Sequence, residues 1–109
     1  MAYDQVLAGR IRSVLAGAAG MEEKKMFGGI GFLIHGNMAC GVHGDDLIVR
    51  VGRDLYTQAM EQPHTRVFDL TGKPMMGWIV VTPGGVATDA DLEKWVSLGL
   101  EFAKTLPGK

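Results

Sequence analysis

Two turn signals lie close together inside the longest apolar stretch of this chain, and they constrain its fold more than any other feature. Gly36-Asn37 and Gly44-Asp45 each suit a two-residue hairpin loop, because such loops need the positive φ angles that glycine and asparagine tolerate. They divide the stretch into three short strands, at about 26–35, 38–43 and 46–51. Loops this short make the three strands antiparallel neighbours.

The two loops also predict a register and the two faces of the sheet. The first loop pairs Leu33 with Cys40, and the second pairs Cys40 with Val49. Because side chains alternate along a strand, one face then forms the core: Leu33, Met38, Cys40, Val42, Leu47, Val49 and Val51. The opposite face is mixed: Ile30, Phe32, Ile34, Ala39, Gly41, His43, Asp46, Ile48 and Arg50.

The rest of the chain predicts three helices and two more strands. Apolar residues at three- and four-residue spacing indicate an amphipathic helix from Tyr3 to Ala18. Thr88 is an expected N-cap, since two aspartates follow in the first turn of the last helix. Between them we expect a helix at 53–61 and strands at 65–70 and 77–82. We therefore predict an α+β fold in two layers, with helices on one face of an antiparallel-rich, five-stranded sheet.

Composition limits the classes of function. The 11 Lys and Arg residues against 12 Asp and Glu give a net charge of -1, which argues against strong nucleic-acid binding. A single cysteine excludes an internal disulfide. Met26 to Gly44 carries no Asp, Glu, Lys or Arg, but its six glycines argue against a membrane span. Without signal-peptide features at the start, we expect a single cytoplasmic domain over 1–109.

No motif predicts a catalytic, cofactor-binding or metal-binding residue. The glycines at 28, 29 and 31 lead into a strand rather than a helix, so they lack the context of a phosphate-binding loop. They instead indicate a bulge or a place where a helix packs close to the backbone. Cys40 and His43 have ligand-like spacing, but an odd separation places them on opposite faces of a strand. His35 shares the predicted face of Cys40, but these two ligands would not complete a structural zinc site, which needs four. Cys40 is therefore interpreted as a buried apolar residue.

Four motifs carry a resemblance to a known family. They are MFGG at Met26–Gly29, the hairpin Gly36, L-x-V-R at Leu47–Arg50, and MMGW at Met75–Trp78 before the last strand. Through them the chain, over about residues 5–104, resembles the N-terminal domain of the TfoX/Sxy family of competence regulators. The resemblance implies the α+β element order given above, similar to type III secretion chaperones. Full-length regulators of this family carry a second, C-terminal domain, so we expect a stand-alone N-terminal-like domain.

Two functional hypotheses follow. The first is a non-enzymatic regulatory or protein-interaction module that forms a homodimer and can bind a further protein partner. Its expected interface is the apolar part of the second sheet face, Ile30, Phe32, Ile34 and Ile48, together with Arg50, since exposed apolar patches mark interfaces. The alternative is a small-molecule-binding protein or enzyme with a pocket near Cys40 and His35. Neither hypothesis requires a cofactor.

Overall fold

The computed structural model describes residues 3–26, 28–69 and 72–108. Within these residues the helices are α1 (Gln5–Val14), α2 (Arg53–Met60) and α3 (Asp89–Lys104), and a 3₁₀ turn spans Pro83–Val86. The strands are β1 (Met21–Met26), β2 (Gly29–Ile34), β3 (Asn37–His43), β4 (Asp46–Arg50), β5 (Thr65–Val67) and β6 (Trp78–Val81). Phe27 of the MFGG motif and Leu70 of the predicted fifth strand lie outside the described residues. The predicted α+β fold class is confirmed.

The sheet contains six strands in the order β1-β2-β3-β4-β6-β5, and every neighbouring pair is antiparallel. The additional strand is β1, which pairs with β2 from Met21 opposite Ile34 to Met26 opposite Gly29. Its sequence MEEKKM has four consecutive charged residues and no apolar alternation, because it lies at an edge and its four central residues are exposed. β5 forms the opposite edge.

The predicted register of the second hairpin is confirmed, and that of the first is wrong. Val42 lies opposite Leu47 and Cys40 opposite Val49, as expected. In the first hairpin, however, Ile34 lies opposite Asn37, so the two-residue loop is His35-Gly36 instead of Gly36-Asn37. Both loop residues have positive φ, 50° and 84°. A bulge in β3 follows, beside Phe32 and Leu33, and beyond it Phe32 lies opposite Cys40.

This one-residue shift exchanges the faces of β2 relative to β3. Ile30 and Phe32 join Cys40 and Val42 in the main core cluster, and Ile34 packs in a second buried cluster with Ala39 and Ala103. Their predicted exposure on the face away from the helices is therefore wrong. Leu33 and Met38, predicted to be core residues, are only half-buried. Asn37 is the first residue of β3 and not a loop residue. Its buried amide Nδ2 donates to the Pro107 carbonyl at 2.8 Å.

All three helices pack on the face that carries Phe32, Cys40 and Val49. α3 makes the most contacts with the sheet and crosses β2, β3 and β4. It begins as expected, since the Thr88 hydroxyl accepts a hydrogen bond from the Asp91 N–H at 3.1 Å. Gly99 lets the helix approach β3 closely, because a Cβ there would lie 2.3 Å from the Ala39 carbonyl oxygen. The core therefore lies on one side of the sheet, and the other side carries no helix of the described residues.

Candidate interaction surface

The sheet side away from the helices, here called the outer face, carries the remaining candidate residues. Alternation along the strands assigns it the side chains of Glu22, Lys24, Met26, Leu33, Met38, Asp46, Ile48, Arg50, Arg66, Trp78 and Val80. Two of the five predicted interface residues, Ile48 and Arg50, do lie there. The other three, Ile30, Phe32 and Ile34, are at most 6% exposed beneath the helices.

The side chains of two methionines lie close to a pair of glycines on the outer face. Gly31 and Gly41 are opposite each other on β2 and β3. A Cβ added at Gly31 would lie 2.9 Å from the Met26 methyl, and one at Gly41 would lie 2.6 Å from the Ile30 carbonyl oxygen and 2.8 Å from the Met38 methyl. The glycines therefore make room for unbranched, polarizable side chains, which suit contact surfaces that adapt in shape.

Beside the methionines, Ile48 and Val80 are only 4% and 3% exposed, although none of the described helices covers them. They lie opposite each other on β4 and β6. Two aromatic side chains lie beside this pair of strands. They are Phe68 and Trp78, whose ring centroids are 5.9 Å apart. Ile48 and Val80 thus form a small apolar layer on the outer face, and neighbouring side chains of the same face shield it from solvent.

Three charged side chains of the outer face, those of Asp46, Arg66 and Arg50, contact neighbouring side chains. Asp46 on β4 forms an ion pair with Arg66 on β5 beside a shallow cavity of about 130 Å³. The Arg50 guanidinium carbon lies 5.1 Å from the Trp78 ring centroid and 5.3 Å from that of Phe102, within cation–π range of both. In the described part of the chain, no group of three or more His, Cys, Asp or Glu side chains could hold a metal ion.

The structure separates the residues of the alternative pocket. Cys40 is fully buried under the helices, whereas His35 is exposed in the first hairpin loop. A cleft of about 390 Å³ does lie beside His35, with Ala18, Ile34, Leu100 and Lys104 among its lining residues, but Cys40 is not one of them. His43 is at the other end of β3, and His64 packs beside Gly84. The cysteine and the three histidines therefore do not form one site.

Burial raises the pKa of the Cys40 thiol from 9.0 to about 12. The nucleophilic thiolate is therefore scarce near neutral pH, and we expect no reaction with a thiol reagent in the native state at pH 8, but stoichiometric labelling in denaturant. Because the folded-state pKa exceeds the unfolded one, this group stabilises the fold below about pH 9, and that contribution is lost as pH rises towards 12. Labelling kinetics with an Ellman-type reagent measure the reactivity of Cys40 in the native and the denatured protein. Fast labelling without denaturant would contradict it.

Gly29 and Gly31 lie against a neighbouring strand and a methionine side chain, and not against a helix as one of the two predictions had it. A Cβ at Gly29 would lie 2.0 Å from the Val42 carbonyl oxygen, so the neighbouring strand leaves no space for a side chain. Gly28 has a φ of 76°, which favours glycine in the turn between β1 and β2. No helix within 3–26, 28–69 and 72–108 is long and apolar enough to cross a membrane.

The fold and the outer face define an α+β domain with helices on one side of an antiparallel sheet and a mixed apolar and charged surface on the other. A model of the TfoX N-terminal domain family matches residues 13–103, which is most of the chain. The chain therefore belongs to the TfoX N-terminal domain family. No curated protein and no solved structure gives a significant match.

Proposed function

We propose that this chain is a non-enzymatic regulatory module that acts through protein contacts made by its outer face, in a role like that of competence regulators. The observation that carries the proposal is the partly exposed apolar set of Leu33, Met38 and Trp78 on the side of the sheet that no described helix covers. A solvated sheet face is usually polar at these positions. Membership of a regulator family supports the same class of role.

The chemistry of the outer face favours a protein partner over a nucleic acid. Arg66 is paired with Asp46, and Arg50 lies against two aromatic rings, so neither forms part of a basic stripe that could follow phosphates. The net charge of -1 supports the same choice. We therefore propose a partner surface with an apolar centre, which the flexible side chains of Met26 and Met38 can accommodate.

The test is affinity capture from a lysate of the source cell, followed by mass spectrometry, with two matched variants. Met38→Glu places a charge in the middle of the outer face, and Val6→Glu places one on α1, where Val6 is 74% exposed. We expect a partner that wild type and Val6→Glu retain and that Met38→Glu loses at least about tenfold, because burying an unpaired carboxylate opposes association. Equal capture by Met38→Glu, or no captured protein, would contradict the proposal.

The cleft beside His35 favours the alternative of small-molecule binding. Its volume of about 390 Å³ is at the lower end of the range for ligand sites, and its lining includes the apolar Ile34 and Leu100 beside the basic Lys104. A small apolar acid would suit that lining. Native mass spectrometry of the purified protein would favour this function if it showed a retained molecule of that class.

A further inference from the structure

The β1 edge presents backbone groups that pair with no other strand of the described sheet. The His35 N–H donates to the Gly20 carbonyl at 3.0 Å, directly beyond the first pair of the β1–β2 ladder. In antiparallel ladders every second residue pair is hydrogen-bonded. The bonded pairs therefore continue through Glu22 and Lys24, while Met21, Glu23 and Lys25 direct their N–H and C=O groups away from β2. In the described sheet, β1 has no neighbour on that side.

We propose that this edge pairs antiparallel with β1 of a second copy of the chain, in a register centred on Glu23. A twofold axis perpendicular to the sheet keeps the two faces of both copies aligned, so each residue must lie opposite one that points to the same side. Glu23 then lies opposite Glu23 of the second copy, and Met21 lies opposite its Lys25. This register uses all three outward residues of each copy and forms about six backbone hydrogen bonds.

The charges of β1 complement their own reversed copy in this register. The order is Glu22-Glu23-Lys24-Lys25, with two negative charges followed by two positive ones. Glu22 of each copy faces Lys24 of the other on the outer face, which gives two favourable cross-strand pairs. On the helix side the two Glu23 carboxylates meet, but each already accepts hydrogen bonds from the Arg12 guanidinium of its own copy, at 2.5 and 2.7 Å. Two arginines therefore balance the two central glutamates.

Charged residues on an edge strand usually prevent such pairing. That protection works when the edge carries one sign of charge, because every copy then repels every other. β1 carries equal numbers of both signs, arranged so that an antiparallel copy presents the opposite sign at Glu22 and Lys24. The pairing would also join the outer faces of both copies into one surface, although it does not depend on the function proposed above for that face.

Charge reversal at the paired positions tests the proposal by sedimentation velocity over a concentration series. We expect wild type to dimerise. Glu22→Lys and Lys24→Glu each replace two opposite-charge pairs with two like-charge pairs and should weaken the dimer about tenfold or more. The double variant Glu22→Lys/Lys24→Glu restores both pairs and should recover affinity to within about threefold. Glu93→Lys, an exposed change on α3, is the control and should leave the affinity unchanged.

The outcomes separate pairing at β1 from other contacts. A monomeric wild type overturns the proposal. A wild-type dimer that both single reversals leave intact, or a double variant no better than either single one, also overturns it, because the contact then lies elsewhere. Loss of the protein partner proposed above would have no bearing on these results, since only the association of the chain with itself is measured.

Cysteine cross-linking tests the register. In the proposed pairing the Glu23 positions of the two copies have a Cα–Cα distance of about 5.5 Å, within disulfide range, whereas the Lys25 positions lie several residues apart along the strands. Mild oxidation should therefore link Glu23→Cys into a covalent dimer and leave Lys25→Cys unlinked. Efficient linking of Lys25→Cys, or none of Glu23→Cys, would overturn this register.

Discussion

Replacing Phe32 with alanine should destabilise the fold by about 3–5 kcal/mol, whereas Leu33→Ala should cost only about 1 kcal/mol. Phe32 is 0% exposed and belongs to the main core cluster with Cys40 and Val42, so its loss removes a whole aromatic ring from the interior and leaves a cavity. Leu33 is half-buried on the outer face. Urea denaturation followed by circular dichroism gives both free energies of unfolding.

This pair of variants distinguishes the two possible registers of the first hairpin. If the loop were Gly36-Asn37, Leu33 would face the core opposite Cys40, and Phe32 would point away from the helices. The order of the two effects would then be reversed. A larger loss for Leu33→Ala than for Phe32→Ala would therefore contradict the bulged register, in which Phe32 lies opposite Cys40.

The sequence predicted the second hairpin correctly and the first incorrectly, for a physical reason. Gly44 adopts the positive φ, 60°, that its position in a tight loop requires, and it keeps the predicted loop while its carbonyl accepts a hydrogen bond from the Asp4 N–H at 2.8 Å. In the first hairpin the asparagine that suggested a turn instead hydrogen-bonds the Pro107 carbonyl, 70 residues away. His35 takes the positive φ in its place. A local sequence pattern cannot reveal a hydrogen bond to a residue so far away along the chain.

A signal for the correct face was nevertheless present in β2. Large apolar residues at 30, 32 and 34 alternate with glycines at 29 and 31. Filling a core needs side-chain volume, so the face with three large residues was the better candidate for burial than the face with two glycines. Giving this alternation more weight than the turn residues would have placed Phe32 in the core, with Ile48 and Arg50 on the opposite face of the sheet.

Strand β1 could not be recognised from apolar periodicity. An edge strand with four exposed central residues buries little side-chain surface, so it needs no alternation of polar and apolar residues. Its position is set by the backbone ladder with β2, from Met21 to Met26. The four charged residues that leave β1 without apolar periodicity also give it the charge order on which the proposed self-pairing depends.

Gly99→Ala should destabilise the fold by about 2 kcal/mol, although alanine is the better helix former. The added Cβ would lie 2.3 Å from the Ala39 carbonyl oxygen and 3.0 Å from the Ala39 carbonyl carbon, both backbone atoms that cannot rotate away. α3 must therefore move from β3, and its contacts with the sheet loosen. The matched control is Gly9→Ala in α1, where nothing lies within 4 Å of the added Cβ. That change should stabilise by about 0.5–1 kcal/mol.

If Gly99→Ala lowers the free energy of unfolding while Gly9→Ala raises it, packing against β3, and not helix propensity, determines the effect at Gly99. Thermal and urea denaturation of both variants measure the two free energies. A neutral or stabilising Gly99→Ala would mean that α3 moves away from Ala39 at no cost, which contradicts close packing at this point. Since Ala39 lies directly beside Met38, displacement of β3 should also disturb the outer face. Gly99→Ala is therefore expected to weaken partner capture, whereas Gly9→Ala should leave it unchanged.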